Sequence, residues 1–178
     1  MSCDSLSTLY SHCSDSPDVC MGSRIELSTN APIELTKLKS AAHFVQLALD
    51  EEITPMLADS CTGGTYLCYN KFEDITAVLK PCDEEPYCIN NPKGFSPNRF
   101  YDRGITPGTA CFREVAAYYL DFDNFVGVPE TSLATITIES SSYEHVLRKE
   151  GSFQLYIPHE CSSEDYGPSM FSTEVSFL

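Results

Sequence analysis

One heptad constrains this chain more than any other stretch. Residues Asp74 to Lys80 read D-I-T-A-V-L-K, a mostly apolar run that ends in a lysine. Side chains alternate across a strand, so Ile75, Ala77 and Leu79 face one way and Thr76, Val78 and Lys80 the other. Lys80 therefore closes the strand with a charge on a face that is otherwise uncharged. Two readings stand: a lysine that snorkels to water from a strand end, or a cation placed there for chemistry. Upstream, Asn70 to Glu73 supplies a turn, and Thr65 to Tyr69 an earlier strand entered through Gly63-Gly64. The pair of strands reads as a hairpin with a glycine-bearing loop at its mouth. A Gly-Gly pair makes a tight turn; it also lets backbone N–H groups approach an anion closely.

The rest of the chain supplies helices and further strands. Leu38, Ala41, Ala42, Val45, Leu47, Ala48 and Leu49 recur at helical spacing, which predicts a helix over Thr36–Glu51, capped by Thr36 and ended before Pro55. A second helix is expected over Ala110–Asp121, with Thr109 as its cap. Between these, Pro81–Gly108 is rich in proline and glycine and reads as a loop. It is long for a structureless connection, which itself hints at function. Thr131–Glu139 and Ser152–Ile157 read as strands, joined by a weaker helical stretch over Tyr143–Lys149. Met1 to Pro32 is rich in Ser, Asp, Thr and Pro without apolar periodicity, the composition of a disordered tail. The expected organisation is an acidic, Ser-rich tail over residues 1–35 and a folded part over 36–178. The fold class is α+β: an antiparallel sheet of about five strands with helices packed against it.

Composition excludes several functions. The chain has 178 residues and a net charge of −15, enough length for a real core and the wrong sign for phosphate backbones, so no nucleic-acid partner is expected. No apolar run approaches the ~18 residues of a membrane span. No basic segment followed by an apolar one opens the chain, which favours a cytoplasmic protein. Nine cysteines, an odd number without a C-x-x-C pair, read as reduced thiols acting as small apolar side chains. Cys61 and Cys68, or Cys82 and Cys88, lack zinc-hairpin spacing, and the four histidines are scattered, so no metal site is expected.

Glu114 is the second charge of interest. It lies in an otherwise apolar helical segment, with Cys111 and Tyr118 on its face. A carboxylate there faces either solvent or a cation, and Lys80 is the candidate cation. The order Gly-Gly turn, strand, strand ending in Lys, loop, helix carrying Glu is the layout of a kinase small lobe.

At this level of detail the sequence resembles the phosphatidylinositol 3-/4-kinase family, specifically the type II and plant gamma-type phosphatidylinositol 4-kinases. The resemblance rests on T-G-G-T-Y (62–66), A-V-L-K-P-C-D-E-E-P (77–86), N-N-P-K-G-F (90–95), F-R-E-V-A-A-Y-Y-L-D (112–121), F-V-G-V-P-E-T (125–131), G-S-F-Q-L-Y-I-P-H (151–159) and S-E-D-Y-G-P-S-M-F (163–171), in that order. It implies an ATP-binding small lobe. Gly63, Gly64 and Thr65 would shape the loop over the ATP phosphates, Lys80 would contact them, and Glu114 would hold Lys80. Val78 would pack against the purine. Phe153 to Ile157 would be the hinge, with backbone groups near Gln154 and Ile157 meeting adenine. Asp83, Glu84 and Glu85 would be structural, pairing with basic groups and fixing the turn. The implied partners are ATP, a phosphoinositide or protein substrate, and peripheral membrane contact.

The departure from the family pattern is equally specific. A kinase needs an Asp at the substrate hydroxyl and further Asp and Asn ligands for Mg²⁺. The family carries the first of these in a D-R-x-x-x-N-type motif after the G-P-S-x-F block, and no such motif occurs in these 178 residues. Asp102-Arg103 leads into Gly-Ile-Thr-Pro before the second helix and is a false match. No catalytic residue is therefore assigned, and Mg²⁺ is implied only for a complete family member. Two expectations follow: a small lobe and hinge truncated before the catalytic loop, or a non-catalytic remnant that binds nucleotide or a partner. Either leaves apolar surface for a protein partner to cover.

Overall fold

A computed structural model describes residues 22–28, 34–95, 106–139 and 147–160. Six strands form one antiparallel sheet: β1 (Arg24–Leu27), β2 (Met56–Leu57), β3 (Tyr66–Tyr69), β4 (Ile75–Pro81), β5 (Thr131–Ile138) and β6 (Leu147–Leu155), in the order β1-β5-β6-β4-β3-β2. Helix α1 spans Thr36–Asp50 and helix α2 spans Ala110–Leu120. The α+β class holds, and the hairpin β3–β4 lies where the alternation placed it, paired Tyr66 to Leu79 and Cys68 to Ala77.

The core lies between α1 and one face of the sheet. Leu38, Ala41, Val45 and Leu49 of α1 meet Cys68, Ala77, Leu79, Ala134, Ile136 and Phe153, all buried. Ala77 and Leu79 thus face α1, and Val78 and Lys80 point to the opposite face. Phe153, fully buried, is opposed by Leu79 on β4 and by Ser132 on β5.

Several expectations are corrected. Arg24–Leu27 is a strand and not part of a disordered tail; residues 1–21 and 29–33 lie outside the described residues. Four residues are too short to show a period, and their pairing is imposed from outside. Ile25 donates its backbone N–H to the Gln46 side-chain oxygen of α1 at 3.0 Å, and Gln46 donates to the Ser23 carbonyl at 2.9 Å. The expected helix at Tyr143–Lys149 fails at its end, because Leu147–Lys149 open β6; residues 143–146 lie outside the described residues. The expected strand Ser152–Ile157 starts earlier and stops at Leu155. Sheet pairing along the whole of β5 overrides the local pattern here.

Thr36 does not cap α1. The cap position is Leu35, and the Leu38 amide donates instead to the Glu130 carboxylate at 2.8 Å. Thr109 stands at the cap of α2, but its side chain makes no capping bond; its hydroxyl donates to the Thr106 carbonyl. Beyond α2, the Asp121 carboxylate accepts the Val126 and Val128 amides, each at 2.8 Å. These backbone bonds hold its pKa below the ordinary carboxylate value. Leu120, Phe122, Phe125 and Val126 around this turn are exposed, Phe125 to 92%.

The cysteine expectation is corrected in one place. Cys82 and Cys111 form a disulfide with Cα atoms 5.5 Å apart, 29 residues apart in sequence. Sequence spacing could not pair them, because a strand end and a helix first turn meet only in the folded chain. Cys61, Cys68 and Cys88 are free thiols, and burial pushes the Cys68 thiol up to about 12.

Gly151 is where the sheet tolerates no side chain. A Cβ there would fall inside contact distance of the Lys80 carbonyl and the Pro81 Cα on β4. The obstruction is backbone and cannot step aside. Gly151→Ala should lower unfolding free energy by about 1–3 kcal/mol in urea titration, as overpacking does. Gly22→Ala, in open space, should change nothing measurable.

Candidate functional site

The site grows from the end of β4. After Pro81 the chain makes a single 3₁₀ turn, Cys82–Glu84, and three successive carboxylates then serve three different elements. The Glu84 side chain is 5% exposed and accepts from Lys149 Nζ of β6 at 2.8 Å and from the Tyr66 hydroxyl of β3 at 2.8 Å. Asp83 accepts from Lys149 at 2.7 Å and from Asn90 at 2.8 Å. Glu85 caps α2, accepting the Thr109 and Ala110 amides, each at 2.9 Å, and meeting Arg113 at 3.5 Å. A carboxylate at a helix N-terminus satisfies orphan amides and opposes the positive end of the helix dipole. The acidic run therefore pairs with basic groups and fixes the turn, the structural role that the family resemblance implied.

Electrostatics follow from this geometry. Burial works against the charge on Lys149, but bonds to Asp83 and Glu84 outweigh it and raise its pKa above the ordinary lysine value. Burial likewise opposes ionisation of Asp83, and the bonds from Lys149 and Asn90 win, leaving its pKa below the ordinary value. Burial, then the Glu84 hydrogen bond, raises the Tyr66 hydroxyl well above its usual range.

The glycine pair docks on the same turn. The Gly64 amide donates to the Glu84 carbonyl at 2.9 Å, and Asn91 bridges the Thr62 and Glu84 carbonyls at 3.0 Å each. A Cβ on Gly64 would overlap the Glu84 carboxylate, and one on Gly63 would press on Pro86 at 3.3 Å. Both glycines thus allow close approach of two loops. The Gly64 amide is already committed, so its part in any anion loop is one of shape.

Lys80 and Glu114 meet on the other face of the sheet. Lys80 Nζ donates to Glu114 Oε1 at 2.8 Å, and each side chain is 35% exposed. One of the three ammonium donors is thereby used. Lys80 sits opposite Ser152 on β6, and Val78 opposite Gln154. Gln154 donates to Thr131 Oγ1 at 2.9 Å, so its side chain is held within the sheet. Tyr156 donates its amide to the Thr76 carbonyl at 3.0 Å, and Ile157 beyond it is half exposed. Thr65 is half-buried just before β3, beside the glycine pair. The predicted residues therefore fall along one strand: the segment Tyr156–Ile157 at the start of β4, Val78 in its middle, and Lys80 with the glycine turn at its end.

Lys149 escaped the sequence reading because it fell in the expected helix. The run R-K-E-G-S-F, read as a strand, would have put Lys149 on the face of Phe153. Arg113 pairs with Glu85, a partner that sequence adjacency does not suggest. Among the described residues, no group of three or more His, Cys, Asp or Glu side chains is placed to hold a metal ion.

No protein-family model matches the chain. It is 35% identical over 164 residues to phosphatidylinositol 4-kinase gamma 6 of Arabidopsis thaliana, covering 83% of this chain and 26% of that protein. It is 34% identical over 164 residues to phosphatidylinositol 4-kinase gamma 5 of the same plant, covering 84% and 26%. A phosphatidylinositol 4-kinase gamma 4 of Oryza sativa subsp. japonica is 34% identical over 131 residues, covering 66% and 22%. The chain is thus related to plant proteins of this name, and spans about a quarter of the length of the curated relatives it matches.

The buried cluster makes a two-part prediction. Lys149→Met strands Glu84 and Asp83 without their cation and should cost about 3–5 kcal/mol in urea unfolding. For pH, a depressed Asp83 contributes stability that is complete above its ordinary pKa and is lost as pH falls through the lower folded value. Asp83→Asn should therefore show a shallower loss of thermal midpoint than the parent below about pH 4.

Proposed function

We propose that this chain is the nucleotide-binding small lobe of a phosphoinositide-kinase-like domain. The observation that carries the reading is the Lys80–Glu114 pair at 2.8 Å, set on a strand that also bears Val78 and is followed by the glycine-flanked acidic turn. From Thr76 to Lys80 the strand advances about 13 Å at ~3.3 Å per residue. That reach suits a nucleotide lying along β4, with its purine over Val78 and its phosphates near Lys80. Backbone groups around Gln154 to Ile157 would meet the adenine edge. The relatives' name, phosphatidylinositol 4-kinase gamma, supports the same reading and points to phosphoryl transfer onto phosphatidylinositol in the whole protein.

The residues present fit part of that chemistry. Lys80 offers a half-exposed cation with two unused donors, oriented by Glu114, to phosphate oxygens. Thr65 and the Gly63-Gly64 turn would close over the phosphates. Bound Mg²⁺ would supply charge neutralisation at the phosphoryl group. Among the described residues no group of three or more His, Cys, Asp or Glu side chains is placed to hold it, and no step is assigned to it here. This chain's own work would be binding and orientation. In the complete domain a protein face or the large lobe would cover the exposed apolar turn at Phe122 to Val126.

The test is equilibrium binding of a fluorescent ATP analogue. Lys80→Met should weaken binding by about ten- to a hundredfold, the size of a lost charge-assisted hydrogen bond. Glu114→Gln should weaken it several-fold, since Glu114 acts by positioning Lys80. Phosphate transfer to phosphatidylinositol vesicles should be undetectable with this chain alone. An analogue that binds no better to the parent chain than to Lys80→Met would overturn the proposal.

A further inference from the structure

The two elements that carry Lys80 and Glu114 are joined twice, and the second joint is covalent. Cys82 follows Lys80 by two residues, and Cys111 precedes Glu114 by three, about one helical turn. Their disulfide therefore lies next to the ion pair and ties the same strand end to the same helix. Beyond these two joints α2 lies against β5 and β6, with Tyr118 packed at the edge of the core. Of its eleven residues only Cys111 is buried, and Phe112, Arg113 and Leu120 are exposed. The Lys80–Glu114 pair joins two part-exposed side chains, an arrangement that contributes little by itself. Glu85 anchors only the first amides of the helix.

We propose that the Cys82–Cys111 pair is a redox clamp that sets the affinity of the Lys80–Glu114 site for nucleotide, an inference that rests on the nucleotide-binding reading above. Oxidised, the disulfide holds α2 so that Glu114 orients Lys80. Reduced, α2 stays tethered through Glu85 and loses its fixed angle to β4, and Lys80 loses its orienting partner. The oxidant is a low-molecular-weight disulfide such as oxidised glutathione. The thiolate of Cys82, the more accessible of the two, attacks one sulfur of that disulfide and expels a thiol. The Cys111 thiolate then attacks Cys82 Sγ, forms the intramolecular bond and expels the second thiol. Two protein thiols are oxidised, and one disulfide is reduced to two thiols carrying the two protons. A thiol reductant reverses the sequence.

The experiment equilibrates the full chain in oxidised or reduced glutathione and makes three measurements. Alkylation and peptide mapping report the 82–111 link, hydrogen exchange reports the α2 amides, and a fluorescent ATP analogue reports affinity. The oxidised chain should carry the link, exchange α2 amides more slowly and bind the analogue about tenfold more tightly. Cys82→Ser should stay at the reduced level whatever the glutathione state, while Cys88→Ser should respond like the parent. Failure of the link to form in oxidised glutathione overturns the clamp, as does equal analogue affinity in the two states. If the analogue binds in neither state, the nucleotide reading fails. The clamp is then judged by α2 exchange alone, and equal exchange in both states overturns it.

Discussion

A turn of three carboxylates organises this molecule. Buried carboxylates are costly unless each oxygen finds a donor. Here Asp83, Glu84 and Glu85 draw their donors from β3, β6, the start of α2 and Asn90. The turn thereby ties those elements to one another. The same requirement explains Gly64, whose missing Cβ lets the glycine loop lie against the Glu84 side chain. It also explains why α2 can start without a capping side chain of its own, since Glu85 arrives from 24 residues upstream of Thr109 to accept its first amides.

Legibility in the sequence tracked the range of the interaction responsible. Strand β4 and helix α1 follow from periods of two and of about 3.6 residues, and both appear where those periods put them. The Lys80–Glu114 pair was reachable because each charge breaks an apolar pattern and so calls for a partner. What could not be read is tertiary in origin. Strand β1 is ordered by Gln46, β6 extends because β5 pairs with it, α1 begins at Glu130, and Cys82 finds Cys111 across a fold. No local pattern encodes any of these, because each depends on a residue beyond the reach of a single strand or helical turn.

Scarcity makes the cations informative. The chain has 11 Lys and Arg against 26 Asp and Glu, and three of the cations gather around the end of β4. Their environments differ. Lys149 is 16% exposed and committed to two carboxylates, so it serves the fold. Arg113 leans on Glu85 at the long end of ion-pair distance, with half its side chain in solvent. Lys80 alone joins a short bond to one carboxylate with partial exposure on a sheet face, the combination that leaves a cation oriented yet able to meet a ligand.

The two faces of the sheet thus divide the work by the kind of interaction each uses. Toward α1, apolar side chains interlock across four strands, and rigidity comes from packing that no small adjustment can replace. Toward Lys80 the connection to α2 adds an ion pair and a disulfide to the packing of the helix on β5 and β6, and Cys111 is its one fully buried residue. Packing of the first kind does not respond to solution conditions short of unfolding. Ion pairs and thiols do, through pH, salt and redox state. On the proposed clamp, a helix fastened by such bonds would change its angle while the sheet keeps its register. The clamp would then act at Glu114 and leave Lys80 in place, one residue beyond Leu79 in the core.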